Sequence, residues 1–127
     1  MFRVLAHPFL LVQSSLRERS KAKKRSPKWR HVEKTFLATH RMCAACGAEK
    51  RLQVHHIKPF HLHPELELDQ KNLITLCMTM NECHLRIGHG GSFSAYDPHV
   101  VSDAAQLLAY PELRKAIEKR AKASRLT

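Results

Sequence analysis

Two cysteine pairs, Cys43-x2-Cys46 and Cys77-x5-Cys83, constrain the fold of this chain more than any other feature. Each short spacing lets both sulfurs of a pair face one centre, so four thiolates can converge on a single tetrahedral zinc. Gly47, directly after Cys46, suits the tight turn of such a knuckle. A chain of 127 residues buries only a modest core, so a structural staple is expected. Disulfides would need a secretory context. The apolar residues 1–12 lack a cationic leader beyond Arg3, contain His7-Pro8, and run into charged sequence without a small-residue cleavage site. No run approaches the ~20 apolar residues of a membrane span. The reading is a cytoplasmic protein, not membrane-bound, whose reduced thiols are available for metal. A thiol redox pair would want a βαβ context that the sequence does not offer. The wider second spacing leaves His84 or His89 as alternatives to Cys83 for the fourth position.

The charge points to a polyanionic partner. Formal net charge is +11, which favours nucleic acid over an anionic membrane surface. Residues 14–34 carry nine Lys/Arg against Glu18 and Glu33, and residues 112–125 carry six against Glu112 and Glu118. Residues 41–101 are balanced, so the chemistry sits in a neutral core between cationic flanks. Residues 1–26 read as a basic, flexible arm, and Lys21, Lys23, Lys24 and Arg25 in it, with Lys28 and Arg30 just after it, are candidate phosphate contacts. Such contacts give salt-sensitive affinity without sequence readout. The competing reading is a merely solvated charged surface.

The periodicities predict an α+β domain. From Pro27, the residues Trp29, Val32, Phe36 and Leu37 fall on one helical face, and the helix should end near Arg41. Residues 51–57 and 72–77 read as short strands, and the Pro-, His- and acid-containing residues 58–71 as a loop. Residues 82–87 predict a short helix stopped by Gly88. Residues 102–109 and 112–124 predict two further helices broken at Pro111, the second with Leu113, Ala116, Ile117 and Ala121 on one stripe. The domain plan is an arm over 1–26, a central domain over 27–101 and a basic helical extension over 102–127.

His55 and His56 stand together at the end of the first strand, so their side chains leave on opposite sides and should have different roles. Imidazole can serve both as a neutral metal ligand and as a base working near neutral pH. Asn72 either helps hold a metal or hydrogen-bonds backbone near the histidine pair. A zinc ligand at Cys83 would position His84 against the strand bearing His55, and His89 is either a third ligand or a packing residue.

In combination these segments resemble the HNH endonucleases of the ββα-metal class, in the branch with a cysteine zinc frame. The matching pieces are Cys43-Ala-Ala-Cys46-Gly47, Leu52-Gln-Val-His-His-Ile-Lys-Pro59, Asn72-Leu-Ile-Thr-Leu-Cys77 and Glu82-Cys-His-Leu-Arg-Ile-Gly-His89. The resemblance implies a small ββα-metal core with a structural zinc on Cys43, Cys46, Cys77 and Cys83. It also implies a catalytic divalent ion such as Mg2+ or Mn2+ on His55 and His84, with Asn72 and His89 as further candidates. His56 would be the general base, Asn72 the central residue of the motif and His84 its closing histidine. The implied activity is hydrolysis of DNA phosphodiesters, and a small protein of this kind fits a bacterial, phage or mobile-element setting. Two rivals are a non-catalytic zinc-ribbon module that binds nucleic acid and a ribonuclease on the same scaffold.

Overall fold

A computed structural model describes residues 24–127. The expectations for residues 1–23, Lys21 and Lys23 among them, lie outside the described residues. Helix α1 spans Trp29–Thr39. Its apolar face is the predicted one: Phe36 is buried with Val54 and Leu73, and Trp29, Val32 and Leu37 pack around them. The helix stops as His40 turns out of helical geometry. The His40 amide still bonds the Phe36 carbonyl, and its ring stacks on Phe36 at 3.9 Å.

Strands β1, Leu52–His56, and β2, Leu73–Cys77, form one antiparallel ribbon in which His55 lies opposite Ile74 and His56 opposite Leu73. An isolated two-stranded ribbon is marginal in water and needs cover. Here it is covered on both sides. Val54 and His56 face α1, whereas Gln53 and His55 face the later part of the chain. As a result Val54, His55 and His56 are buried consecutively, and no in–out alternation survives.

The loop between the strands contains two single 3-10 turns, Pro64–Leu66 and Gln70–Asn72. The Asp69 side chain caps the second by accepting from the Lys71 amide at 3.0 Å. After β2 comes a π-turn, His84–Gly88, then helices α2, Val100–Ala109, and α3, Arg114–Ser124, joined by the 3-10 turn Pro111–Leu113. Ile87, Val100, Leu107 and Ile117 bury themselves against Cys43, Cys77 and Cys83 in one core. The two last helices therefore complete the cluster that surrounds the cysteines. The apolar stripe of α3 is narrower than predicted. Ile117 and Ala121 are buried, but Leu113 and Ala116 are exposed. Leu113 belongs to the 3-10 turn and is out of phase with the helix, and Ala116 lies about 100° around the axis from Ile117.

Two acids lie inside this core. Asp97 and Asp103 are buried, and each has one carboxylate oxygen without a hydrogen-bond partner among the described residues. Asp103 is bound by Arg120, whose Nε donates to its Oδ1 at 3.1 Å. Asp97 accepts only from the His99 amide, at 2.9 Å. Burial, followed by the neighbouring Asp103, pushes the Asp97 pKa up to about 7 from 3.8. A raised acid pKa means the folded state binds the proton more tightly than the unfolded chain. This group's contribution is therefore fully favourable below the unfolded pKa and is lost as pH rises toward 7. Asp97→Asn keeps the acceptor for His99 and adds a donor for Asp103. Its melting temperature should exceed that of the parent at pH 8 and the gap should narrow by pH 5, in parallel thermal melts at the two pH values. A gap that is the same at both pH values would show that Asp97 does not titrate in this range.

Candidate metal centre and active site

The cysteine frame is built where three segments meet. The knuckle that follows α1 folds back through Gly47 N–H to the Cys43 carbonyl at 2.9 Å, with Gly47 at φ 79°. It is joined to β2 by the Ala44 amide and the Thr75 carbonyl, also at 2.9 Å. Cys77 ends β2 and Cys83 precedes the π-turn. The four sulfurs lie within 4.8 Å of one another, and Cys46 and Cys77 are 3.6 Å apart. Two sulfurs on a tetrahedral zinc are about 3.8 Å apart, given Zn–S bonds near 2.3 Å, so the four cysteines fit a zinc frame. Cys83 completes this set; His84 and His89 belong to another. A hydrogen bond from Cys83 draws the Cys43 pKa down to about 4, while the same bond and burial push Cys83 up. Arg114 of α3 donates from Nη2 to Cys83 Sγ at 3.2 Å, placing a cation against the frame.

The second cluster gathers His55, His84 and His89, whose ligand atoms also lie within 4.8 Å of one another. The spacing of His84 and His89 makes this unexpected. On an α-helix, residues five apart are separated by about 140° around the axis and do not meet. The π-turn resolves it: the His89 amide bonds the His84 carbonyl at 3.0 Å, five residues back. The two Nε2 atoms come to 3.2 Å, close to the roughly 3.3 Å between two imidazole nitrogens on one tetrahedral ion.

Each ring is held from behind. His84 Nδ1 is 2.7 Å from Gln53 Oε1, and His89 Nδ1 is 2.7 Å from the Ala95 carbonyl. A carbonyl or amide oxygen can only accept, so both Nδ1 atoms carry the proton and both Nε2 atoms present lone pairs. His55 is buried, and its Nε2 has no hydrogen-bond partner among the described residues. Burial lowers the pKa of all three, well below the ordinary imidazole range for His55 and to about 4 for His84, where His89 adds a smaller push. Three neutral imidazoles with one orphaned nitrogen are the donor set that a divalent ion needs.

Gly88 makes room for this arrangement. A Cβ at residue 88 would lie 3.0 Å from Leu76 Cδ1 and 3.2 Å from both Cε1 and Nδ1 of His55. Gly88→Ala should displace the His55 ring and weaken divalent-ion binding at the histidines by about tenfold, measured by calorimetry, while the zinc content stays at one per chain. Unaltered affinity would show that the His55 ring has room to move.

His56 points to the other face of the ribbon. Its Nε2 lies 3.0 Å from the Glu67 carbonyl, which fixes the proton on Nε2 and leaves Nδ1 as the acceptor. Its ring packs on Trp29 at 4.6 Å, and burial lowers its pKa. His56 and the three clustered histidines line one cavity of about 320 Å3. Asn72 lies outside the histidine cluster. Its Oδ1 accepts from the Lys58 amide at 2.8 Å, and its Nδ2 donates to the carbonyls of Lys58 and Leu66. It ties the two ends of the 57–72 loop together beside the histidine pair.

Sequence reasoning passed over Glu67 and gave Arg25 a place in the flexible arm as a candidate phosphate contact. The buried Glu67 carboxylate accepts from the Ser26 amide at 3.0 Å and pairs with Arg25 at 3.3 Å. The Arg25 guanidinium lies 4.4 Å over the Phe60 ring and 5.3 Å over Trp29, and Arg25 lines the histidine cavity. One acidic loop residue thus anchors both His56, through its backbone, and Arg25, through its side chain. Lys24, Lys28 and Arg30 are exposed.

The fold and site define an α+β domain in which a cysteine knuckle braces a two-stranded ribbon and a short helical turn carrying clustered histidines. Residues 43–90 match the sequence model of the HNH endonuclease family. That family is one of nucleases that use a divalent metal. No curated protein and no solved structure matches the chain. Among the described residues no helix is long and apolar enough to cross a membrane.

Proposed function

We propose that this protein is a metal-dependent endonuclease that hydrolyses DNA phosphodiester bonds. The observation that carries the reading is the convergence of His55, His84 and His89 as neutral donors in the cavity that His56 also lines. A divalent ion on these three residues would supply Lewis-acid stabilisation of the charge that develops on the phosphoryl and departing 3′ oxygens. His56, with its proton fixed at Nε2, accepts a proton from the attacking water at Nδ1. Burial keeps its imidazole neutral and competent at neutral pH. Arg25, braced by Glu67, presents a guanidinium to the phosphate, and its planar fork suits two oxygens at once. Asn72 holds the 57–72 loop that carries the Glu67 carbonyl, and so holds His56. Lys24, Lys28 and Arg30 add phosphate contacts without base readout. The zinc in the cysteine frame is structural, because four thiolates leave no open position.

The test is incubation of purified, zinc-loaded protein with supercoiled plasmid, with and without Mg2+, Mn2+ or Ni2+, beside a labelled RNA of matched length. Metal-dependent nicking or linearisation of DNA supports the reading. Cleavage of RNA alone would move the assignment to a ribonuclease. DNA binding without cleavage under any metal would leave a zinc-containing binding module.

A further inference from the structure

The HNH match ends at Gly90, yet the residues that hold His89 in place come from much further along the chain. Ala95, whose carbonyl accepts from His89 Nδ1, is followed by Tyr96. Tyr96 exchanges both backbone hydrogen bonds with Leu126, at 2.8 and 2.9 Å, as a lone antiparallel bridge. On the other side of His89, the Gly90 carbonyl accepts from Arg125 Nη1 at 3.0 Å. Gly90 is packed so closely that a Cβ there would come within 2.9 Å of both the Ala121 carbonyl and Arg125 Cβ. The residue next to His89 and the residue next to its hydrogen-bond acceptor are therefore both fastened to the two residues that follow α3.

We infer that Arg125 and Leu126 form a strap that positions His89 for metal binding, so that the segment after α3 sets the affinity of the histidine site. The inference rests on the metal-site reading above. Loop 91–99 contains no helix or strand of its own; apart from the strap it is held by its local turns and by the Asp97 amide on the Gly88 carbonyl at 2.9 Å, and the strap fixes the Tyr96 side of the Ala95 carbonyl. Groups behind a metal-binding imidazole commonly change metal affinity by about ten- to a hundredfold. Arg125 and Leu126 act through the loop and are positioning residues.

The experiment titrates Ni2+ into zinc-loaded full-length protein by calorimetry. The variants are Arg125→Ala with Leu126→Pro, Arg125→Lys, Leu126→Ala, and His55→Ala as reference. Proline at 126 removes the amide that donates to Tyr96, whereas alanine retains it. The double variant should bind Ni2+ about tenfold more weakly, with zinc content and far-ultraviolet circular dichroism unchanged. Leu126→Ala should match the parent, and Arg125→Lys, which keeps a donor for Gly90, should lie nearer the parent than the double variant. Parental affinity in the double variant, with affinity lost in His55→Ala, would overturn the strap and leave the metal site standing. Parental affinity in His55→Ala as well would overturn the metal site and the strap with it. Loss of zinc or helix content in the double variant, or equal weakening by Leu126→Ala, would show general packing and overturn the strap.

Discussion

Cys43→Ser or Cys46→Ser should leave a chain that holds no zinc and shows no cooperative thermal transition. The cysteines are the centre of the principal core: Cys43, Cys77 and Cys83 are essentially without solvent exposure, and residues from α2, α3 and the π-turn close over them. In small domains of this kind metal-binding free energy is folding free energy, about 10–16 kcal/mol for a structural zinc. A domain's whole net stability is typically about 5–15 kcal/mol. Losing one of four ligands therefore removes a contribution as large as the margin itself. The serine hydroxyl is a far weaker zinc ligand than the thiolate it replaces. The measurement is zinc content by atomic emission together with a circular-dichroism melt, with chelator-treated parent protein in parallel. A metal-free protein with the parental melting curve would overturn the structural role. Arg114 extends the argument to α3. A zinc with four thiolates carries a net double negative charge, and the guanidinium on Cys83 offsets part of it where water is scarce.

Legibility from sequence followed the range of the interactions. Cys43-x2-Cys46 and the Trp29, Val32, Phe36 and Leu37 stripe are local patterns, and both were readable because a turn or a helical period alone brings the residues together. The two strands were readable to within a residue at each end, because the apolar run of residues 73–77 and the strand ending in the histidine pair are bounded by turn formers. The meeting of His84 and His89 was not readable as a period, since the 3.6-residue repeat of an α-helix keeps residues five apart from meeting. It depends on the π-turn, which is fixed by the Gly88 contacts with Leu76 and His55 and by the Asp97 amide bonded to the Gly88 carbonyl. Glu67 was hidden for a different reason. Its partners Arg25, Ser26 and His56 are 42, 41 and 11 residues away, and nothing in the loop's composition distinguishes it from Glu65, which is exposed. The basic look of residues 112–125 also misleads about use. Arg114, Arg120 and Arg125 are engaged with Cys83, Asp103 and Gly90, and only the lysines of α3 are left facing outward.

The histidine pair gives the sharpest test of the proposed chemistry, because its two members should fail in different ways. His56→Ala should lose plasmid cleavage by about a hundredfold or more, the usual cost of removing a general base. It should retain zinc, DNA binding and divalent-ion affinity at the histidine cluster. His56 faces α1, where its ring lies on Trp29 and its Nε2 on the Glu67 carbonyl, so its loss touches none of the three clustered rings. Some stability will go with the packing against Trp29, and the assay temperature must lie well below the variant's melting point. His55→Ala should also lose cleavage, but through weaker ion binding, since it removes one of three donors, the one whose Nε2 is buried without a hydrogen-bond partner among the described residues. Raising the metal concentration should then restore part of the activity of His55→Ala and none of that of His56→Ala. Cleavage rates measured across a metal titration separate the two, with single-turnover conditions removing product release from the comparison. Near-parental cleavage by folded His56→Ala, verified free of parent enzyme, would reject His56 as the base. Rescue of His56→Ala by excess metal would place it among the ligands instead, and would make His55, on the opposite face of the ribbon, the residue to test for proton transfer.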